Sequence, residues 1–185
     1  MKNVFLSASV PDGQRDARYG ATADVAAIKA AVEALADVVA ERGWRLVWGG
    51  HPTVAPMLAE AMARHGLTMS ERVTVYLSRE FEAVMPQEDM GERVLTERRE
   101  SREASLRLMR ERMIGENRFE AAVFISGMEG VEQEYALLRG LQPEVQCLPV
   151  ASTGGAARRI YEAGVFDERL MKERDYAKLF ASLMA

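Results

Sequence analysis

The chain has 185 residues, a formal net charge of −4 at pH 7 and a pI near 5.4. This length suits one compact domain, and because Lys and Arg are interspersed with Asp and Glu, the charge pattern excludes the basic surface typical of nucleic-acid-binding proteins. One cysteine and two histidines exclude an intrachain disulfide and make a poor metal inventory, and no apolar run approaches the roughly 18 residues of a membrane span, so we expect a cytoplasmic protein without a metal ion, cofactor or membrane partner.

Apolar runs of strand length alternate with longer segments of helical periodicity. This pattern predicts an α/β fold, a Rossmann-like doubly wound parallel sheet of about five or more strands with helices on both faces. The predicted strands are 3–7, 44–48, 72–77, 121–125 and 145–151, and the predicted helices are 22–42, 57–64, 100–115, 132–139, 156–163 and 176–184. Segment 78–98 contains Pro86, Gly91 and many charges, so we predict a partly irregular excursion that is either a lid or a plain loop.

Four loops after predicted strands combine small or hydroxyl residues with glycine or proline at the start of a helix. They read SASVPDG, GGHPTVAP, SGMEGVE and ASTGG. In an open parallel sheet, ligands bind beyond the carboxyl ends of the strands, where free N–H groups at helix starts can hold an anion. Each loop alone is equally well explained as turn chemistry, but four at one edge predict that a phosphorylated or nucleotide-like molecule binds there.

The candidate binding residues are those that these loops bring to the edge of the sheet. They are Ser7, Ser9, Gly49, Gly50, His51, Ser126, Gly127, Met128, Glu129, Gly130, Val131, Ser152, Thr153 and Gly154. The hydroxyl residues could instead cap turns, and His51 could simply be exposed in a turn. Arg15 and Tyr19, in the loop after the first strand, lie either within reach of the ligand or on a solvated loop.

Three segments resemble the motifs of the LOG-like proteins and of the wider SLOG superfamily of nucleotide-ligand domains. They are SGMEGVEQE at 126–134, MRERM at 109–113 and the glycine pair at 49–50. The family signature is a PGGxGTxxE loop, a preceding helix with an MHERK-like segment and an earlier glycine-rich loop. Ser126, Met128 and Val131 replace the Pro, the second Gly and the Thr of that signature. The chain is therefore similar to the more divergent SLOG members.

The resemblance also implies a pair of catalytic residues. LOG-like enzymes cleave an N-glycosidic bond with the arginine of the MHERK-like helix and the last glutamate of the loop, which match Arg112 and Glu134. A carboxylate can stabilise the positive charge that builds on the ribose ring, and a guanidinium can hold the carboxylate or a phosphate. The alternative is that Arg112 and Glu134 form a structural ion pair.

Because the signature is altered, we expect a sensor or binding protein for a nucleotide-derived ligand, such as an ADP-ribose-like molecule or a nucleoside phosphate, with a separate effector protein. The alternative function is that of a nucleoside 5′-monophosphate phosphoribohydrolase. The resemblance further implies a homodimer. Leu106, Met109 and Met113 form an apolar stripe on the 100–115 helix that suits a subunit contact.

Overall fold

The computed structural model describes residues 1–84 and 89–184. In this part of the chain, a wholly parallel sheet of six strands has the order β4-β3-β2-β1-β5-β6. The strands are β1 Asn3–Ser9, β2 Arg45–Trp48, β3 Val73–Ser78, β4 Glu92–Thr96, β5 Phe119–Ser126 and β6 Gln146–Val150. The helices are α1 Ala17–Gly20, α2 Val25–Glu41, α3 Ala55–Arg64, α4 Met69–Arg72, α5 Arg102–Gly115, α6 Glu129–Leu141, α7 Gly155–Ala163, α8 Arg169–Lys172 and α9 Tyr176–Leu183. Two 3-10 segments, Arg79–Val84 and Ala151–Thr153, follow β3 and β6.

The sheet is doubly wound, as the sequence predicts. From β1 the chain moves outward through β2, β3 and β4, then returns to place β5 on the other side of β1 and β6 beyond it. The winding direction therefore reverses between β1 and β5, and at such a point the loops after the two strands leave in opposite directions and open a crevice.

Helices cover both faces of the sheet. On one face, α2, α3 and α9 pack against alternate strand residues such as Val4 and Leu6, and on the other α5, α6 and α7 pack around Phe5 and Phe124. Strands that are buried on both faces need apolar residues at every position, which is why their sequences are continuous apolar runs. Within the described residues, no helix has the length and apolarity needed to cross a lipid bilayer.

The prediction of an irregular segment at 78–98 is wrong for residues 92–96. These residues form β4, which pairs with β3 at the edge of the sheet. The first two residues of β4, Glu92 and Arg93, are exposed and charged, so the strand lacks the apolar run that marks its neighbours. Residues 85–88 of the predicted segment lie outside the described residues.

The apolar stripe of α5 faces the protein's own sheet. Met109 is 5% exposed and Met113 is fully buried, and both belong to the apolar core that contains Phe5 and Phe124. Met109 and Met113 are therefore used inside the fold and are not free to pack against a second subunit, whereas Leu106 is half-buried. The homodimer stays a prediction that rests on resemblance.

Candidate functional site

A cleft of about 910 Å³ lies at the carboxyl edge of the sheet, where the winding direction reverses. Its walls come from the ends of β1 and β2, the loop after β1, the 3-10 segment after β3 and helices α5 and α6. Nine of the predicted residues line it, namely Ser7, Ser9, Gly49, His51, Met128, Glu129, Gly130, Val131 and Glu134. Met128, which replaces a glycine of the LOG-like signature, is half-buried in the wall and leaves the cleft open.

Glu134 is a largely buried carboxylate of the cleft and is paired with an arginine. It projects from the second turn of α6, its side chain is 12% exposed, and it accepts a hydrogen bond of 2.5 Å from Ser7 Oγ at the end of β1. Arg110 Nε donates to its other oxygen at 3.3 Å. Burial raises the pKa of Glu134 above its usual range, while the charge of Arg110 and the bond from Ser7 act against that rise.

The arginine beside Glu134 is Arg110, so the predicted pairing with Arg112 is absent. Arg112 donates from Nε to Glu116 at 2.6 Å, and Glu116 in turn accepts from Tyr76 at 3.1 Å. Residues two positions apart on an α-helix are separated by about 200° around its axis. When Arg110 faces the cleft, Arg112 therefore points away from it. Arg112 instead helps to anchor the end of α5 to β3.

Gly130 makes room for Arg110. A β-carbon at position 130 would come within 2.9 Å of Arg110 Nη2, which is closer than such atoms approach in proteins. The guanidinium therefore lies directly over the first turn of α6, where it also donates to Gln133 at 2.7 Å. A side chain at 130 would displace the cation from Glu134.

The start of α6 faces the cleft without a side-chain cap. Met128 is the N-cap residue and no side chain of its own bonds to the first turn, while Glu129 and Gly130 line the cleft. The first N–H groups of a helix have no partner within that helix, so they can donate to an anion above them. The preceding turn needs positive φ at Ser126 (48°) and Gly127 (81°), and this bend aims the helix at the cleft.

Three of the predicted binding residues support the cleft from behind. Ser126 and Gly127 are buried beneath its wall and do not line it. Gly50 does not line the cleft either, and a β-carbon there would meet Leu77 and Val75 of the apolar core, 2.6 and 2.8 Å away. These positions shape the turns that bear the cleft.

The loop after β6, which the sequence predicts to bind the ligand, does not line the cleft. Ser152, Thr153 and Gly154 are buried away from the cleft. Thr22 fills the place of an anion at the start of α7, since its Oγ1 accepts from the N–H of Gly155 at 2.9 Å.

The hydroxyls of the same loop are committed to the fold. Thr153 Oγ1 accepts from the N–H of Ser126 at 2.9 Å and donates to the carbonyl of Val150 at 2.6 Å. Ser152 Oγ lies 3.0 Å from the hydroxyl of Tyr176. The loop therefore holds the turn before α6 in place, which is an indirect contribution to the site.

The loop after β1 forms a wall of the cleft through Arg15, Asp16 and Tyr19. The Tyr19 hydroxyl donates to Glu132 of α6 at 2.5 Å, and Arg159 of α7 pairs with the same carboxylate at 3.0 Å. Burial and the bond to Glu132 raise the pKa of Tyr19 to about 12, so this hydroxyl stays protonated. These contacts fix the loop against α6.

His51 joins two of the loops at the opposite wall. Its Nδ1 lies 2.8 Å from Thr53 Oγ1, and that oxygen accepts from the N–H of Val10 at 3.1 Å. Desolvation and then the charge of Arg15 lower the pKa of His51, which favours the neutral ring at pH 7. A neutral imidazole can both donate to and accept from a ligand.

Sequence reasoning missed several residues of the cleft. Asp16, Phe81, Arg102, Glu103, Leu106 and Arg110 line it, although Asp16 lies in a loop that the sequence marks and Leu106 and Arg110 lie in marked segments of the 100–115 helix. Leu106 and Arg110 lie in the predicted helix, but only the packing of α5 decides which of its residues face the cleft. No three His, Cys, Asp or Glu side chains within residues 1–84 and 89–184 converge as a metal site requires.

The model of the SLOG cluster3 family matches residues 18–184, in agreement with the superfamily that the sequence motifs resemble. Among solved structures, the fold is similar to the X-ray structure of TM1055, a structural genomics target. The TM-score is 0.62 and the sequence identity 16%, over 92% of this chain and 89% of that one. No curated protein matches the sequence. At this identity the structural similarity supports the fold, and the family match supports the superfamily.

Proposed function

The chain belongs to the SLOG cluster3 family, and on that premise we propose that it binds a nucleotide or nucleotide-derived molecule in the cleft between β1 and β5. Family membership and fold suggest a nucleotide-related function. The proposed ligand is a nucleoside phosphate or an ADP-ribose-like molecule, and the proposed role is that of a binding or sensor protein.

The observation that carries this proposal is the position of Glu134 beside the uncapped start of α6. Its carboxylate lies between Ser7 and Arg110, and an ionised carboxylate has about four acceptor positions, so it retains capacity for the hydroxyls of a ribose. The N–H groups of Glu129 and Gly130 and the guanidinium of Arg110 can hold a phosphate next to it. The volume of about 910 Å³ is within the range of small-molecule sites, roughly 300 to 1,000 Å³.

Isothermal titration calorimetry with the four nucleoside 5′-monophosphates, ADP-ribose and inorganic phosphate tests this proposal. We expect binding of at least one nucleotide, and a loss of about tenfold or more in Arg110→Met, because a charge-assisted contact to the ligand is removed. Arg112→Met is the matched control and should bind within about twofold of the natural protein, since Arg112 points away from the cleft. Failure of every nucleotide to bind the natural protein would refute the proposal.

A second candidate function is hydrolysis of an N-glycosidic bond. A carboxylate with a raised pKa, buried beside an arginine, can orient a water molecule and stabilise the positive charge that develops on the ribose ring. Arg110 now takes the role that the resemblance gives to Arg112. In this mechanism the bond between the base and the ribose breaks, the water adds its hydroxyl to the ribose, and its proton goes to the leaving base.

Chromatographic detection of free base after incubation with nucleoside monophosphates separates the two functions. Hydrolysis predicts release of base by the natural protein and by Arg112→Met, and a large loss in Glu134→Gln, which keeps the shape of the side chain but not its charge. Activity that survives Glu134→Gln excludes this mechanism. Binding without release of base supports the sensor role, for which the homodimer and the separate effector protein remain proposals.

A further inference from the structure

The cleft is chemically graded along the sheet. Ser7 of β1 and Glu134 of α6 lie together, with Arg110 of α5 beside them, whereas the aromatic ring of Phe81 belongs to the segment that follows β3. Neighbouring strands are about 4.8 Å apart, so roughly 10 Å separates β1 from β3. That separation is comparable with the length of a nucleoside monophosphate, which has a charged phosphate at one end and a planar base at the other.

Phe81 lines the cleft without belonging to the apolar core. It lies in the 3-10 segment that follows β3, is partly exposed and belongs to neither of the two buried clusters formed by the described residues. A phenylalanine that the fold does not bury, at the wall of a cleft, retains apolar ring surface that a ligand can cover.

Arg102 lies over the ring of Phe81. It is the first residue of α5, and its guanidinium carbon is 5.0 Å from the centre of the ring, a distance typical of a cation–π contact. Among the described residues no carboxylate pairs with Arg102, which is exposed and lines the cleft. Arg102 and Phe81 thus form a pair in which a planar cation covers one face of an aromatic ring, and both kinds of group stack on nucleobases.

We propose that Phe81, supported by Arg102, is the platform on which the base of the ligand stacks. This inference rests on the proposed nucleotide binding and adds an orientation to it. The phosphate lies at the start of α6, the ribose lies at Glu134, and the base points across β2 towards the end of β3. The ligand class is then a nucleotide with an intact aromatic base, and a sugar phosphate alone makes only part of the contacts.

Calorimetry with ribose 5-phosphate, the four nucleoside 5′-monophosphates and ADP-ribose tests this orientation. In the natural protein, at least one ligand with a base should bind about tenfold or more tightly than ribose 5-phosphate, because stacking on an aromatic side chain contributes at that level. Phe81→Leu should remove this advantage and leave the affinity for ribose 5-phosphate unchanged. Phe81→Trp, the matched control, keeps an aromatic face and should preserve the advantage.

Two results would overturn the platform and leave nucleotide binding intact. The first is equal affinity for ribose 5-phosphate and for the base-containing ligands, and the second is an unchanged advantage in Phe81→Leu. Binding of none of these ligands to the natural protein would instead refute the proposed function itself. Because Phe81 is outside the apolar core, both variants should unfold at the temperature of the natural protein, and a melting curve of each checks this.

Discussion

Replacement of Arg110 by methionine tests which arginine supports Glu134. The substitution removes the guanidinium and keeps a long unbranched apolar side chain, so the packing around α5 changes little. Arg112→Met makes the same chemical change two residues along the helix, where the partner is Glu116. The comparison of the two variants separates the loss of the Arg110–Glu134 contact from the general effect of replacing an arginine on α5.

The structure predicts different losses for the two variants. The side chains of Arg110 and Glu134 are 17% and 12% exposed, and removing one partner of a buried ion pair costs about 3–5 kcal/mol. Since the two atoms are 3.3 Å apart at the wall of a cleft and Ser7 still donates to the carboxylate, we expect a loss below that range, of about 2 kcal/mol. Arg112 and Glu116 are 32% and 44% exposed, and a pair of this kind contributes about 0–1 kcal/mol.

Urea unfolding, followed by circular dichroism, gives both free energies of unfolding. The double variant Arg110→Met with Glu134→Gln completes a thermodynamic cycle. In the Glu134→Gln background, Arg110→Met should lower the unfolding free energy clearly less than it does in the natural protein, because the carboxylate is absent. An equal loss in Arg110→Met and Arg112→Met, or a greater loss in the latter, would refute the assignment of Arg110 as the partner of Glu134.

Three further predictions concern pH dependence and stability. Burial holds the folded-state pKa of Glu134 above its unfolded value, so ionisation of this carboxyl lowers the stability of the protein as pH rises through the folded pKa. The unfolding free energy of Glu134→Gln should therefore increase relative to that of the natural protein between acid and neutral pH, by at most about 1.4 kcal/mol per pH unit. Urea unfolding across this pH range measures the difference. Gly154→Ala should lower the melting temperature far more than Gly43→Ala. Both glycines have positive φ, but a β-carbon would lie 1.9 Å from a backbone oxygen at position 154 and in open space at position 43. Equal melting temperatures for the two variants would contradict the close packing at Gly154. Tyr19→Phe should cost about 1 kcal/mol of unfolding free energy, because Glu132 loses the hydroxyl that donates to it, and an unchanged value would mean that this bond does not stabilise the loop.

Much of the fold is predictable because the strands of a sheet that is buried on both faces are continuous apolar runs in the sequence. The strands β1, β2, β3, β5 and β6 are apolar runs and the sequence predicts all of them, whereas β4 was missed because its exposed edge residues are charged. The carboxyl edge follows from the alternation of strands and helices, which predicts parallel pairing and so brings the loops after β1, β2 and β5 together.

The members of the site were harder to predict, because local sequence does not record what packs against it. The loop after β6 has the glycines and hydroxyls of an anion site, yet Thr22, distant in sequence, occupies the start of α7. Arg110 and Arg112 belong to the same short segment, and the resemblance selects Arg112, but the rotation of α5 on the sheet turns Arg110 to the cleft.

The sequence by itself determined the class of fold and the edge of the sheet that carries the cleft, since both follow from residue types at local spacing, whereas Glu134 was selected by the resemblance to the LOG-like proteins. The tertiary structure decided which arginine contacts Glu134, which loops are open and where an aromatic ring meets the cleft. These depend on contacts such as Ser7 with Glu134, 127 positions apart, and Phe81 with Arg102. Contacts of this kind are set by how helices rotate and loops pack once the sheet has formed, and a local pattern of residues does not encode that geometry.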